Sequence, residues 1–287
     1  LEEASVRNYV EGMEYREFGG TGMVVSRIGY GGIFREQGQS VEEAEVVRCY
    51  SEALRSGVNL FDFGYGTEEA FASHFGNRRK DCFLSVKVRA GVRGYERVLS
   101  YFEEKLEQLR TDCIDVCRMP GDERFDPEYI RAFRRLREQG KTRALVLYTH
   151  RPPDLAERVK TPEVDGILIP YNYVYHGDSE KLALLCKRLR KGVLAMKVAG
   201  GSRVSWEEKL SQKWAIQERN PHMWTGDWLA LARNEKRKTE PIDAVRWALD
   251  QDPITVLLLG MTRQQHVREN VAAAREHHKE TAAQTRA

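Results

Sequence analysis

Short apolar, β-branched runs return roughly every thirty residues along this chain, each followed by a longer stretch with helical spacing. That alternation limits the fold more than any other feature. The runs are RIGYG (27–31), VNLFDF (58–63), CFLSVKV (82–88), CIDVCRM (113–119), RALVLYT (143–149), GILIPY (166–171), VLAMKV (193–198) and TVLLLG (255–260). Strands that are apolar along their whole length belong to a parallel sheet whose faces are covered by helices. Eight such units in 287 residues predict a (β/α)8 TIM barrel, an α/β fold, as one domain over 13–276. A doubly wound sheet would carry a Gly-rich turn after its first strand, and YGGIF (30–34) is not GxGxxG.

The intervening segments carry helix punctuation. Ser40 with Glu43 reads as a capping box before SVEEAEVVRCYSEALRSG, and Asp126-Pro127 and Glu240-Pro241 place Pro near helix starts. Gly57, Gly140 and Gly192 are expected to close helices just before strands, and PPDLAERV is expected to be helical. Two segments fall outside the repeat. Residues 13–27, MEYREFGGTGMVVSR, read as an N-terminal β-hairpin turning at Gly19, Gly20 and Gly22. A long insertion at 200–238, after the seventh strand, holds Trp206, Trp214, Trp224 and Trp228. It is expected to be either a lid over the catalytic face or a small packed subdomain. Residues 1–12 are expected to be an extension and 277–287 a disordered tail.

Composition narrows the partners. Hydrophobic residues make up 41% and charged residues 31%, enough apolar material for a core, and the formal net charge is +3. Bulk charge therefore points to neither nucleic acid nor a membrane surface. No run of about 18 uncharged apolar residues is present, so a spanning helix is not expected. Five scattered cysteines, an odd number without a CxxC, read as reduced thiols of a cytoplasmic protein. No metal ligand set is expected.

Barrels of this kind place reactive groups at the C-terminal ends of their strands. Standing there are Asp62 and Tyr65, Lys87, Arg118-Met119-Pro120, Thr149-His150, Tyr171-Asn172, Lys197, and Gly260-Met261-Thr262-Arg263. A lysine inside an apolar strand is costly unless paired, and Asp62 on the neighbouring strand could satisfy Lys87. Such a pair serves either structure or chemistry.

Several of these segments, in order, resemble the aldo/keto reductase superfamily from Met13 to Arg275. EYREFGGTGMVVSRIGYGG is similar to its opening hairpin and first strand, and GVNLFDFGYG to its G-[IV]-N-x-[FI]-D-T-A-x-x-Y-G element. FLSVKV resembles the strand of the catalytic lysine, and KLEQLRTDCIDV the block that follows. LREQGKTRALVLYTHRPP, VDGILIPYN, AMKVAGG and GMTRQQHVRENVAAA continue in family order.

The resemblance implies NADP(H)-dependent reduction of a small-molecule carbonyl, with a tyrosine as proton donor, a lysine and aspartate behind it, and a histidine orienting the substrate. Asp62 and Lys87 match the aspartate and the lysine. Two readings of Tyr65 stand open: the family's Y-G with a loop shortened by two residues, or an earlier loop residue with the true tyrosine deleted. The family histidine position holds Pro120, which has no N–H and no polar side chain. A glutamine that meets the nicotinamide in relatives is replaced by Leu168.

His150, with Thr149, falls where the family meets the carboxamide. It could instead serve the substrate or be an exposed loop residue. By the same resemblance Asp62, Lys197, Gly260 and Thr262 line the cofactor, and Arg268, Glu269 and Asn270 meet the adenine. Arg263 reads as a group that binds the cofactor's 2′-phosphate or as a surface charge. The matching family arginine is His266. Three functions remain: a reductase with an atypical site, a nucleotide-binding barrel with little turnover acting as a partner or sensor, and a non-redox lyase, dehydratase or epimerase using Lys87 with Asp62.

Overall fold

A computed structural model describes residues 5–32, 35–36, 39–89, 91–174, 176–199 and 240–286. The insertion at 200–238 lies outside the described residues.

All eight apolar runs form strands: β3 (Ile28–Gly31), β6 (Leu60–Phe63), β7 (Phe83–Lys87), β8 (Ile114–Pro120), β9 (Thr142–Tyr148), β10 (Val164–Pro170), β11 (Gly192–Met196) and β12 (Val256–Gly260). They pair in parallel and close into a barrel in the order β3, β6, β7, β8, β9, β10, β11, β12. The hairpin is present as β1 (Tyr15–Glu17) and β2 (Val24–Ser26), antiparallel. A two-residue pair, β4 (Arg35–Glu36) and β5 (Gln39–Ser40), precedes the first helix. The helices are α1 (Glu43–Arg55), α2 (Glu68–Phe75), α3 (Tyr95–Leu109), α4 (Glu128–Glu138), α5 (Gly177–Arg188), α6 (Pro241–Leu249) and α7 (Gln264–Arg286).

Spacing explains which faces are buried. α4 buries Tyr129, Ala132, Phe133 and Leu136, one stripe at helical period, and turns its arginines outward. Along each strand side chains alternate between the barrel interior and the helix layer. Leu60, Phe83, Val116, Val146 and Tyr148 join one interior cluster, which Phe18, Met23 and Val25 of the hairpin region complete at the N-terminal end. Phe18 packs so closely that a Cβ on Gly192 would lie 2.3 Å from its ring and one on Gly166 2.7 Å.

Several local expectations are corrected. Gly192 closes no helix: α5 is capped at Leu189, Arg190 takes the left-handed conformation, and Gly192 opens β11 beneath Phe18. The Ser40–Glu43 capping box does not form, because Ser40 pairs in β5 and Glu42 stands at the cap. PPDLAERV yields two short 3-10 turns, Pro152–Leu155 and Arg158–Lys160, too few residues to complete an α-helix before β10. The tail is helical, since α7 meets neither Gly nor Pro after Glu276 and His277 lies between Asp250 (3.3 Å) and Glu14 (3.8 Å). Residues 5–12 pack on the barrel's N-terminal end, where the Asn8 amide donates to the carbonyls of Leu54 (2.8 Å) and Val58 (3.0 Å).

Candidate active site

Two residues beyond the apolar interior layer, the same alternation turns polar side chains inward. Leu60 is followed by Asp62, Phe83 by Ser85 and Lys87, and Val116 by Arg118. Strand pairing sets Asp62 level with Ser85 and Lys87 level with Arg118. Asp62, Ser85 and Arg118 are buried. The Arg118 Nη2 group pairs with Asp62 Oδ1. Arg118 also donates from Nε to Ser85 Oγ (2.9 Å) and from Nη2 to the Phe63 carbonyl (3.3 Å). Ser85 Oγ in turn donates to Asp62 Oδ1 at 3.0 Å. Burial pushes the Asp62 carboxyl up, to about 6, against the pull of Arg118, Ser85 and Lys87. Burial opposes the charge on Arg118, but Asp62 and Tyr65 outweigh it and hold the guanidinium cationic.

This corrects the expected pairing. Asp62 takes Arg118 as its ion-pair partner, whereas Lys87 Nζ lies over the rings of Tyr148 (4.9 Å) and Tyr65 (5.7 Å). Burial, then repulsion from Arg118, lowers the Lys87 amine to about 8. Charge inside an apolar strand was the signal that drew attention to Lys87. Applied to CIDVCRM, it also finds Arg118.

Tyr65 rides on a tight turn after β6, flanked by Gly64 (φ 105°) and Gly66 (φ 99°). These are backbone conformations that favour glycine. Glu68, in the first turn of α2, holds this turn: its carboxylate accepts from Gly64 N–H (3.0 Å) and Gly66 N–H (2.9 Å). Lys105 of α3 pairs with the same carboxylate at 3.0 Å, and both side chains are buried. The turn leaves the Tyr65 hydroxyl within electrostatic reach of Arg118. Burial raises the Tyr65 hydroxyl and Arg118 draws it back down.

Across the barrel mouth, Tyr148 donates to the Val88 carbonyl (3.0 Å). Thr149 accepts from the Arg151 N–H at 2.9 Å. His150 is 9% exposed, which removes the reading of an exposed loop histidine. Burial first, then Lys197, Lys87 and Arg124, push its imidazole down to about 3, so it stands neutral at physiological pH. Arg124 is held by Asp122 through Nε (2.7 Å). Asn172 donates to the carbonyl of Lys197 (3.3 Å), itself in a left-handed conformation at φ 57°. Leu168 lies in the apolar interior and Pro120 ends β8.

The structure therefore brings Asp62, Tyr65 and Lys87 together with Arg118 and Tyr148, with His150 and Lys197 within electrostatic reach. The remaining expected residues occupy β12, the following turn and α7. Gly260 and Arg263 are exposed, and Thr262 Oγ1 lies 3.5 Å from His266 Nδ1. Arg268 is exposed and pairs with Glu52 of α1 at 3.2 Å. Glu269 accepts from Gln265 (2.7 Å), and Asn270 is half-buried. The sequence places Arg118 at the barrel mouth but gives it no role, and it does not single out Ser85, Tyr148 or Glu68. Ser85 and Tyr148 look like ordinary strand residues, and Glu68 like an acidic first-turn residue placed for the helix dipole.

An eight-stranded parallel barrel with a buried arginine and aspartate and a half-buried tyrosine and lysine at the C-terminal mouth defines an α/β-barrel of the enzyme type. The chain belongs to the aldo/keto reductase family, whose profile matches residues 27–286. It is 29% identical to an L-galactose dehydrogenase of Arabidopsis thaliana, over 92% of this chain and 89% of that protein. It is 25% identical to an uncharacterized oxidoreductase, YqkF, of Bacillus subtilis, over 91% of each. In fold it is similar to the holo form of aldo-keto reductase AKR11C1 from Bacillus halodurans, with a TM-score of 0.71, 21% identity, and coverage of 93% of this chain and 96% of that one. Among the described residues, no helix is long and apolar enough to cross a membrane.

Proposed function

We propose that this protein is an NADP(H)-dependent oxidoreductase that reduces the carbonyl of a small molecule to an alcohol in the cytoplasm. The observation that carries the reading is the convergence of Tyr65, Lys87 and Arg118 behind one tight turn at the barrel mouth. A plant relative named as a dehydrogenase supports redox chemistry. The donor set suits a phosphate-bearing dinucleotide. Thr149 and Thr262 offer hydroxyls, Lys197 and Arg263 offer charge on the segments after β11 and β12, and α7 begins just beyond. The residue at Leu168 offers no amide to a nicotinamide.

When bound, the reduced nicotinamide supplies the hydride; everything else is asked of the chain. Tyr65 is the proton donor to the carbonyl oxygen, and its neighbouring cations stabilise the phenolate that remains. Glu68 fixes the turn that aims Tyr65. Neutral His150 offers a hydrogen bond without competing as a charge. Titration of NADPH and NADH, followed by tryptophan fluorescence, tests the cofactor. A screen of aldehydes and ketones with Tyr65→Phe then tests the acid. Loss of reduction with nucleotide binding retained is expected. Unchanged turnover in Tyr65→Phe would remove Tyr65 from the role, and absence of binding at about 100 μM nucleotide, well above a working cofactor range, would overturn the reductase reading.

A further inference from the structure

We propose that the N-terminal rim of the barrel, at the end away from the barrel mouth, holds a binding site for a phosphate dianion, built from Arg7, Arg79 and Arg143 around Asp115. The site is independent of the reductase reading, in which none of these residues takes part.

Geometry is the first argument. Asp115 is the second residue of β8 and is fully buried. Strand register brings the second residues of β7 and β9, Leu84 and Arg143, level with it. The Asp115 carboxylate accepts the Leu84 N–H at 2.9 Å. It also pairs with three guanidinium groups, those of Arg79 at 2.8 Å, Arg143 at 3.1 Å and Arg7 at 3.5 Å. Arg7 stacks over the Phe83 ring, 4.4 Å from its centre. The neighbouring acid Asp81 is taken by Arg78, and Asp112 is exposed and makes no ion pair among the described residues. One carboxylate thus faces three cations, and two positive charges are left unmatched at this rim.

The second argument is the division of donors. Arg79 is fully committed: Nε donates to Thr111 Oγ1 (2.9 Å), Nη1 to the Cys82 carbonyl (2.8 Å) and Nη2 to the Cys113 carbonyl (2.7 Å). With the Leu84 N–H, this one arginine already satisfies Asp115. Arg7 donates from Nη1, to the Cys82 carbonyl (2.8 Å) and to Asp115, so its Nε and Nη2 are uncommitted among the described residues. Arg143 reaches Asp115 through Nε, and its side chain is 51% exposed. Burial lowers the Arg7 guanidinium, and Arg143 and Arg79 push it further down against the pull of Asp115. A tetrahedral dianion between Arg7 and Arg143 relieves that repulsion and accepts their remaining N–H groups, the pairing in which arginine forks hold phosphate. A carboxylate would leave one of the two charges unmatched.

Cys113 supplies a local readout. It is half-buried where the other four cysteines are buried. Burial and then Asp115 raise its thiol, while Arg143 and Arg79 oppose them. A dianion at the rim cancels the help of the arginines, so less thiolate is present to react.

The test treats the full chain with iodoacetamide over a series of inorganic phosphate concentrations at fixed ionic strength. Modification at Cys113 is followed by mass spectrometry. Phosphate is expected to slow it by at least about threefold, the thiolate lost in a shift of about half a pH unit, with half-saturation at about 1 mM or below. The Tm should rise with phosphate over the same range. Arg143→Gln leaves Arg79 on Asp115 and should weaken the phosphate effect at least about tenfold, a change of about 1.4 kcal/mol. Arg143→Lys should restore only part of it, since an ammonium offers no fork. Tighter protection by glycerol 3-phosphate than by inorganic phosphate assigns the site to a phosphomonoester, and the reverse order assigns it to free phosphate. An unchanged Cys113 rate at about 10 mM phosphate, well above the expected half-saturation, overturns the proposal, even if phosphate raises the Tm by binding elsewhere. Equal protection in the native chain and in Arg143→Gln overturns it as well.

Discussion

Replacing Glu68 by Gln removes one charge and almost no volume, so its effect isolates the buried carboxylate. In the native chain that carboxylate meets Lys105 at 3.0 Å and accepts the N–H groups of Gly64 and Gly66 at 3.0 and 2.9 Å, with the Glu68 side chain 2% exposed and Lys105 7%. Breaking one side of such a pair leaves a buried ammonium without its counter-charge, a loss of about 3–5 kcal/mol. The amide oxygen of glutamine keeps one of the two turn hydrogen bonds, which places the expectation at the lower end, about 3 kcal/mol. Removing the stranded charge as well, in Glu68→Gln with Lys105→Met, should restore a large part of the loss. Equilibrium urea unfolding at pH 7 measures both. The turn also aims Tyr65, so Glu68→Gln should lower kcat by on the order of tenfold to a hundredfold while nucleotide binding stays intact. A loss of stability below about 1 kcal/mol, or a double variant no more stable than the single one, would refute the view that this ion pair holds the catalytic turn.

Two further outcomes follow from the structure. His150 has a folded-state value of about 3 against an ordinary 6.5, so the unfolded chain takes the proton first; its contribution to stability is present above pH 6.5 and is lost as pH falls toward 3. At pH 5 the loss is about 2 kcal/mol, and urea midpoints at pH 7 and 5 should show that share missing in His150→Gln; equal acid sensitivity in both proteins would contradict the assignment. Gly192→Ala brings a Cβ to 2.3 Å from the Phe18 ring and should cost about 1–3 kcal/mol through overpacking. Thermal unfolding should show the loss relieved by adding Phe18→Leu, and a neutral Gly192→Ala would mean that the hairpin does not plug the barrel tightly.

Much of the site could be located but not wired from the sequence. Lys87 and Asp62 stand out because charge inside an apolar strand demands a partner, and both lie at the barrel mouth. Which partner each one takes was not legible, because Arg118 and Lys87 are 31 positions apart and become level only through the β7–β8 register. Tyr65 could be found as a residue of the Y-G pair, yet its direction depends on a carboxylate in the next helix and a lysine in the one after.

What the sequence determined by itself is local: eight apolar runs, their helical partners, the hairpin, and the period-two alternation that turns Asp62, Ser85, Lys87 and Arg118 to one side of their strands. These follow from side-chain geometry within a few residues, which any sheet would express. Only the tertiary structure decided that Gly192 serves Phe18 rather than a helix end, that His150 is buried among cations, and that Asp62 belongs to Arg118. Closure of the barrel decides these matters, because the shear between neighbouring strands sets which distant residues share a level, and burial at that level sets which charges must pair.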